Sequence, residues 1–270
     1  VSTAHVNGID ISYQLEGDDG SAGQQTLVLV NGLADDLASW DFQVPALLAA
    51  GLRVLRFDNR GIGASDAPPG PYTSRMLADD AAALVDRLGI GEHHLMGVSM
   101  GGMIAQEYAL AHGGRLRSLT LACTYAAPGP FCSSMFELWA DVAGSMGVPT
   151  VMRDVSLWAF TVPFFEERPD EAAEFAEAMA ALPMSLEAYL AQLSVIQTHD
   201  TTERLGDIAV PTLVVAGEED ILIPVRLSRR LHDGVAGAQW ATVPGGHACL
   251  WETPDPFNQA LIGFIRSCSP

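Results

Sequence analysis

Gly97-Val98-Ser99-Met100-Gly101 sets a serine between two glycines, directly after the apolar pair Leu95-Met96 and directly before Gly102-Met103-Ile104-Ala105. A strand that turns this sharply into a helix leaves no room for side chains on either flank of the serine, so the smallest residue is needed at both flanking positions. The turn holds the Ser99 hydroxyl out at the strand tip. The helix that follows brings unpaired backbone N–H groups and the positive end of its dipole to the place where an alkoxide or oxyanion would form. Acyl transfer is the chemistry this suits. Such a short pattern arises often by chance, and the strand before it and helix after it give it weight.

A serine hydroxyl is a poor nucleophile at neutral pH and needs a base, usually histidine, with a carboxylate to orient the imidazole and stabilise its charged form. Of the seven histidines, only His247 sits in a loop after a late strand, at Pro244-Gly245-Gly246-His247. His5 lies in an N-terminal hairpin, His93 and His94 at the far end of the serine strand, His112 on a helix, His199 in a central helical segment and His232 at a helix end. Asp220 follows the buried run Thr212-Leu213-Val214-Val215-Ala216-Gly217 by a few residues, with Glu219 beside it. An acid after a strand is ordinarily a solvated loop position; here the chain order Ser99, Asp220, His247 fits a strand-turn-helix nucleophile. The backbone N–H groups of Leu33 and Met100 are the expected oxyanion donors.

Composition excludes several alternatives. The chain has 270 residues and a formal charge of −19, from 33 acidic and 14 basic residues, and every basic residue is arginine. So acidic a surface repels phosphate backbones and anionic lipid, so neither nucleic acid nor a membrane is an expected partner. Without lysine, Schiff-base chemistry, a Ser-Lys dyad and a Walker A site are ruled out. The loop Asn59-Arg60-Gly61-Ile62-Gly63-Ala64-Ser65 also lacks the spacing of a nucleotide cradle. Cys123, Cys132, Cys249 and Cys268 are too few and scattered for a disulfide framework or a zinc site, and a Cys123–Cys132 bridge is the one pairing to consider. No run approaches a membrane span and Val1 to Asp10 lacks a leader pattern, so a cytoplasmic protein is expected.

These residues need a scaffold that brings strand ends together. Asn7-Gly8 between alternating runs marks a hairpin over Thr3 to Gly17. Thr26 to Val30, Val54 to Asp58, the serine strand, Leu116 to Ala122, Pro211 to Gly217 and Gln239 to Val243 read as strands, most of them continuously apolar as in a sheet buried on both faces. Helices are expected near Phe42 to Ala50, Ser74 to Leu88, Val225 to Asp233 and Pro256 to Ile265. The alternation argues for an α/β fold with a mostly parallel sheet of about eight strands, in which ligands bind beyond the carboxyl ends of the strands. From Pro128 to Leu205 the pattern becomes helical and rich in aromatics. It predicts a helical cap (128–205) inserted in a core formed by 1–127 and 206–270.

Taken together, Asn31-Gly32-Leu33, Asp58 to Ser65, the Gly97 to Gly102 elbow, Pro211 to Asp220 and Pro244 to His247 resemble, in order and over nearly the whole chain, the α/β-hydrolase superfamily. Within it the likeness is to capped serine esterases, enol-lactone hydrolases and cofactor-free haloperoxidase-like enzymes. The resemblance implies Ser99, Asp220 and His247 as catalytic residues. It also implies a carboxylic ester or lactone of small to medium hydrophobic type as substrate, with no metal or organic cofactor. Asn31 stands where the family usually has histidine, and is counted with Trp40, Trp139, Trp158 and Phe160 among expected substrate contacts. Members that open epoxides or displace halide use aspartate at the elbow, which Ser99 argues against. Perhydrolysis, carbon–carbon hydrolysis of a diketone and a slow-turnover receptor on the same scaffold are the alternatives. The oligomeric state is open, a homodimer being compatible.

Overall fold

The computed structural model describes residues 1–18, 20 and 23–268. Eight strands form one sheet in the order β1-β2-β4-β3-β5-β6-β7-β8. The strands are β1 (Ser2–Val6), β2 (Ile9–Glu16), β3 (Thr26–Val30), β4 (Arg53–Phe57), β5 (His93–Val98), β6 (Leu116–Ala122), β7 (Thr212–Gly217) and β8 (Gln239–Val243). β1 and β2 pair antiparallel through a turn with Asn7 and Gly8 both at positive φ, and β2 joins β4 antiparallel. From β4 to β8 every pairing is parallel. The chain order reverses at β3, so the ends of β3 and β5 lie side by side, where a ligand crevice is expected.

Alternation along β3 shows why its sequence is apolar throughout. Val28 and Val30 face one layer with α2 (Ser74–Arg87) and α3 (Met100–His112), while Leu27 and Leu29 face the other with α1 (Val44–Ala49) and the C-terminal helix Pro254–Ser267. A strand covered on both sides has no polar face to show. α1 starts at Val44, not near Phe42, because Pro45 suits only a first helical turn, and Phe42 is left exposed. Gly89, at φ 65°, ends the turn after α2 as its position suggests.

Between β6 and β7 lie five helices: α4 (Pro130–Met146), α5 (Val148–Ala159), α6 (Val162–Glu167), α7 (Pro169–Ala181) and α8 (Leu186–Thr198). Prolines occupy the first turns of α4 to α7, where a missing N–H costs nothing, so Pro130, Pro149, Pro163 and Pro169 start helices, while Pro183 lies in the loop before α8. α9 (Val225–Gly234) joins β7 to β8, and α10 (Cys249–Glu252) and α11 (Pro254–Ser267) close the chain. Among the described residues no single helix is long and apolar enough to cross a membrane. All four cysteines are free thiols. Cys132 does not meet Cys123; it lies on α4 near the Leu222 carbonyl, whereas Cys123 sits with its sulfur 3.6 Å from that of Cys249.

Candidate active site

Ser99 ends β5 and caps α3 with φ 55° and ψ −119°, a conformation a side-chain-bearing residue holds only when its surroundings enforce it. They do so through the glycines. A Cβ at Gly97 would overlap the Gly101 carbonyl, and one at Gly101 would overlap the Val30 carbonyl. Met100 is the first residue of α3, so its N–H has no intrahelical acceptor. Leu33, on the loop after β3, likewise donates to no backbone carbonyl among the described residues. Gly32 completes the approach, since a Cβ there would stand 3.6 Å from the Ser99 Cβ.

Asp220 follows β7 with its side chain fully buried. One carboxylate oxygen accepts the Ile223 N–H at 2.8 Å, and the other lies 2.9 Å from His247 Nδ1. This bond assigns the proton to Nδ1 and leaves Nε2 to act as a base. Burial alone would lower the pKa of His247. The charge and hydrogen bond of Asp220, with the charge of Asp35 beside them, outweigh it and lift it to about 9. The Cys123 sulfur, the Asp220 carboxylate and the His247 ring lie within 4.8 Å of one another. The hydrogen bond with Cys249 and burial push the Cys123 thiol far up, however, so it stays protonated and is a poor nucleophile or soft-metal ligand.

Ser99, His247 and Leu33 line one cavity of about 60 Å³. The Ser99 hydroxyl makes no hydrogen bond among the described residues, to His247 or to any other group, although both residues line the cavity. Such contacts commonly tighten only when substrate binds. The remaining walls are mainly apolar: Phe136 and Trp139 from α4, Met152 and Val155 from α5, Phe175 and Met179 from α7, Ile196 from α8, and Leu222, Ile223, Leu250 and Trp251 from the core.

Of the expected contacts, Trp139 lines this cavity and four others do not. Trp40 is buried and gives its indole N–H to Asn31 Oδ1. Asn31 in turn donates to the carbonyls of Asp35 and Phe57, both at 3.1 Å, so the residue in the usual histidine position braces the loop behind the cavity. Trp158 turns its N–H to Asp154, at 3.2 Å. Phe160 stacks on Phe164 with centroids 4.4 Å apart and belongs to a neighbouring groove.

Three residues at this site are not evident from sequence patterns. Asp35 is 6% exposed and lines the cavity with Ser99 and His247. Burial raises its carboxyl from 3.8 to about 7, against the pull of His247 and of the Gly32 N–H that it accepts. Glu252 is buried on α10 and accepts from Thr161 Oγ1, from the Thr161 N–H at 3.3 Å and from the Gly246 N–H at 3.1 Å, tying the base loop to the start of α6. Gln192 on α8 accepts the Ala34 N–H at 3.0 Å and donates to the Arg60 carbonyl at 2.8 Å. Only the pattern of glycines and prolines around the loops marks these places in the sequence.

A serine at an enforced elbow and a buried Asp–His pair, carried at strand ends of this sheet and sharing one cavity, are the arrangement of an α/β-type hydrolase. Residues 25–254 match the family model for the alpha/beta hydrolase fold, and the chain belongs to that family. It is 33% identical over 262 residues, covering 97% of each chain, to a protein of Azorhizobium caulinodans named "Putative carbamate hydrolase RutD". The enol-lactonase from Burkholderia xenovorans LB400 superposes with a TM-score of 0.90 at 30% identity, over 98% of this chain and 100% of that one. A thermophilic esterase from Thermogutta terrifontis gives 0.86 at 26% identity, over 99% and 97%. The chain is thus a hydrolase.

Proposed function

We propose that the protein cleaves a carboxylic ester or lactone through an acyl-enzyme on Ser99. The observation that carries this reading is the shared cavity: the elbow hydroxyl and the Asp220-held imidazole open onto the same apolar space. His247 Nε2 takes the Ser99 proton as Oγ bonds to the carbonyl carbon, and the Leu33 and Met100 amides meet the oxyanion. The carbon–oxygen bond to the leaving group then breaks and His247 returns the proton to the departing alkoxide. Water, deprotonated by the same imidazole, adds to the acyl carbonyl; collapse frees the acid and restores the serine O–H. In a lactone the leaving oxygen stays attached to the acyl chain.

A cavity of about 60 Å³ accepts on the order of four to six water-sized groups, which favours a short acyl chain or a small ring. A second reading is carbamate hydrolysis, which the relative from Azorhizobium caulinodans favours by its name. It uses the same steps with nitrogen next to the carbonyl. A panel of short esters, small lactones, a carbamate and a diketone, with Ser99→Ala as blank, tests both. Ser99→Ala is expected to lose at least about a thousandfold in kcat on the best ester, and a serine-directed phosphonate to add its mass to the peptide carrying Ser99. Undiminished turnover in Ser99→Ala, or labelling elsewhere, overturns the reading.

A further inference from the structure

The catalytic sequence above makes no use of Asp35, yet this carboxyl is placed at its centre. It hangs from the loop that carries Leu33 and is nine-tenths buried, and its Oδ2 and the Ser99 Cβ both lie within 4 Å of where a Gly32 Cβ would stand. A carboxylate can accept about four hydrogen bonds; its carboxyl accepts one backbone N–H, from Gly32, and forms no ion pair among the described residues. The loop backbone keeps it there, because Ala34 is held at φ 58° by Gln192 and Asn31 holds the Asp35 carbonyl. Removing a carboxylate from water without a partner costs several kcal/mol, which a purely apolar substrate would leave uncompensated.

We propose that Asp35 is the specificity anchor of the site and receives a protonated nitrogen of the substrate, so that the preferred ester or lactone carries an ammonium group a few bonds from the scissile carbonyl. This rests on the hydrolytic reading above. The other lining residues suit a cation as well: Phe136, Trp139, Phe175 and Trp251 border the same cavity, and a desolvated ammonium is attracted to aromatic rings. Among the described residues no arginine lines the cavity, and its one cationic group, His247, is already paired with Asp220, so a substrate carboxylate would meet the Asp35 charge with no free counter-charge. The net charge of −19 favours approach of a cation over an anion. A carboxyl that burial has raised to about 7 is ready to ionise as soon as a positive group arrives beside it.

The phenyl esters of β-alanine and of butyrate differ by an ammonium in place of a methyl and test the idea as a ratio of kcat/KM, in which any change in the state of His247 cancels. The wild type should favour the β-alanine ester by at least about tenfold, and Asp35→Asn should erase that preference, since a hydrogen bond between charged partners contributes about that much. Asp35→Glu should keep part of it. Without any variant, n-butylamine should inhibit the wild type at least about tenfold more tightly than n-butanol. A preference for butyrate, a ratio unchanged in Asp35→Asn, or equal inhibition by amine and alcohol overturns the anchor while Ser99-dependent hydrolysis stands. Hydrolysis that persists in Ser99→Ala overturns the hydrolytic reading itself.

Discussion

Asp35 and Asp220 both follow a strand of the parallel sheet, and their surroundings set them apart. Asp220 has both oxygens occupied, by the Ile223 N–H and by His247, whereas Asp35 faces open cavity. Ser99, Asp220 and His247 are legible in the sequence because each sits where a buried run stops, and a parallel sheet gathers such ends. Asp35 is not legible, because two adjacent acids after Leu33 look like a solvated turn until distant helices close over one of them. Its effect on the base is measurable. The proposed ester hydrolysis needs neutral His247, and Asp220 with Asp35 holds the imidazolium up to about 9. The kcat/KM for phenyl butyrate should therefore climb between pH 7 and 9 and level off above. Asp35→Asn removes one negative neighbour and should move that rise to lower pH, and Asp35→Glu should restore it. A pH–rate profile of the three proteins checks this.

At the scale of elements, the sheet and its flanking helices were readable from period and punctuation, and the cavity walls were not. Strands buried on both faces announce themselves as apolar runs, and β6 begins and ends where its pattern does. The helices between β6 and β7 are amphipathic against one another as well as against the core, so periodicity cannot say which aromatic faces the cavity. Trp139 and Trp158 illustrate this: both indoles bond to Asp154, yet only Trp139 lines the cavity. Asn31 and Trp40 bond to each other for a related reason, since a buried polar group must find a partner and takes the nearest one. Glu252 shows how these elements depend on one carboxylate. Glu252→Ala leaves the N–H groups of Gly246 and Thr161 without their acceptor and should cost about 2–4 kcal/mol. Urea unfolding should show that loss, and activity should fall with it because His247 is the next residue along the loop.

For the whole molecule, the two perturbed groups of the site set the same trend. Asp35 is harder to ionise folded, at about 7, than at its ordinary 3.8, so stability falls as pH rises between those values. His247 is raised from 6.5 to about 9; its stabilising contribution is complete below 6.5 and is lost as pH climbs through 9. The lowered carboxylates Asp79, Asp200 and Glu177 lose their contribution only in acid, below the ordinary carboxylate range, while the buried His93, His94 and His199, lowered by burial, oppose the trend only below 6.5, where they would otherwise be charged. Thermal midpoints should therefore drop from pH 6 to pH 9, by an amount worth on the order of a few kcal/mol. Asp35→Asn should melt higher than wild type at pH 8 and match it near pH 4. Calorimetry at these four pH values decides it.

Gln192 has a mechanical consequence. Its amide holds the Ala34 N–H with one end and the Arg60 carbonyl with the other, riveting α8 to two strand-end loops, one of which supplies the Leu33 amide. If α8 swung outward to admit a guest, it would drag the anion receptacle out of shape. α8 is thus the fixed jamb of the cavity.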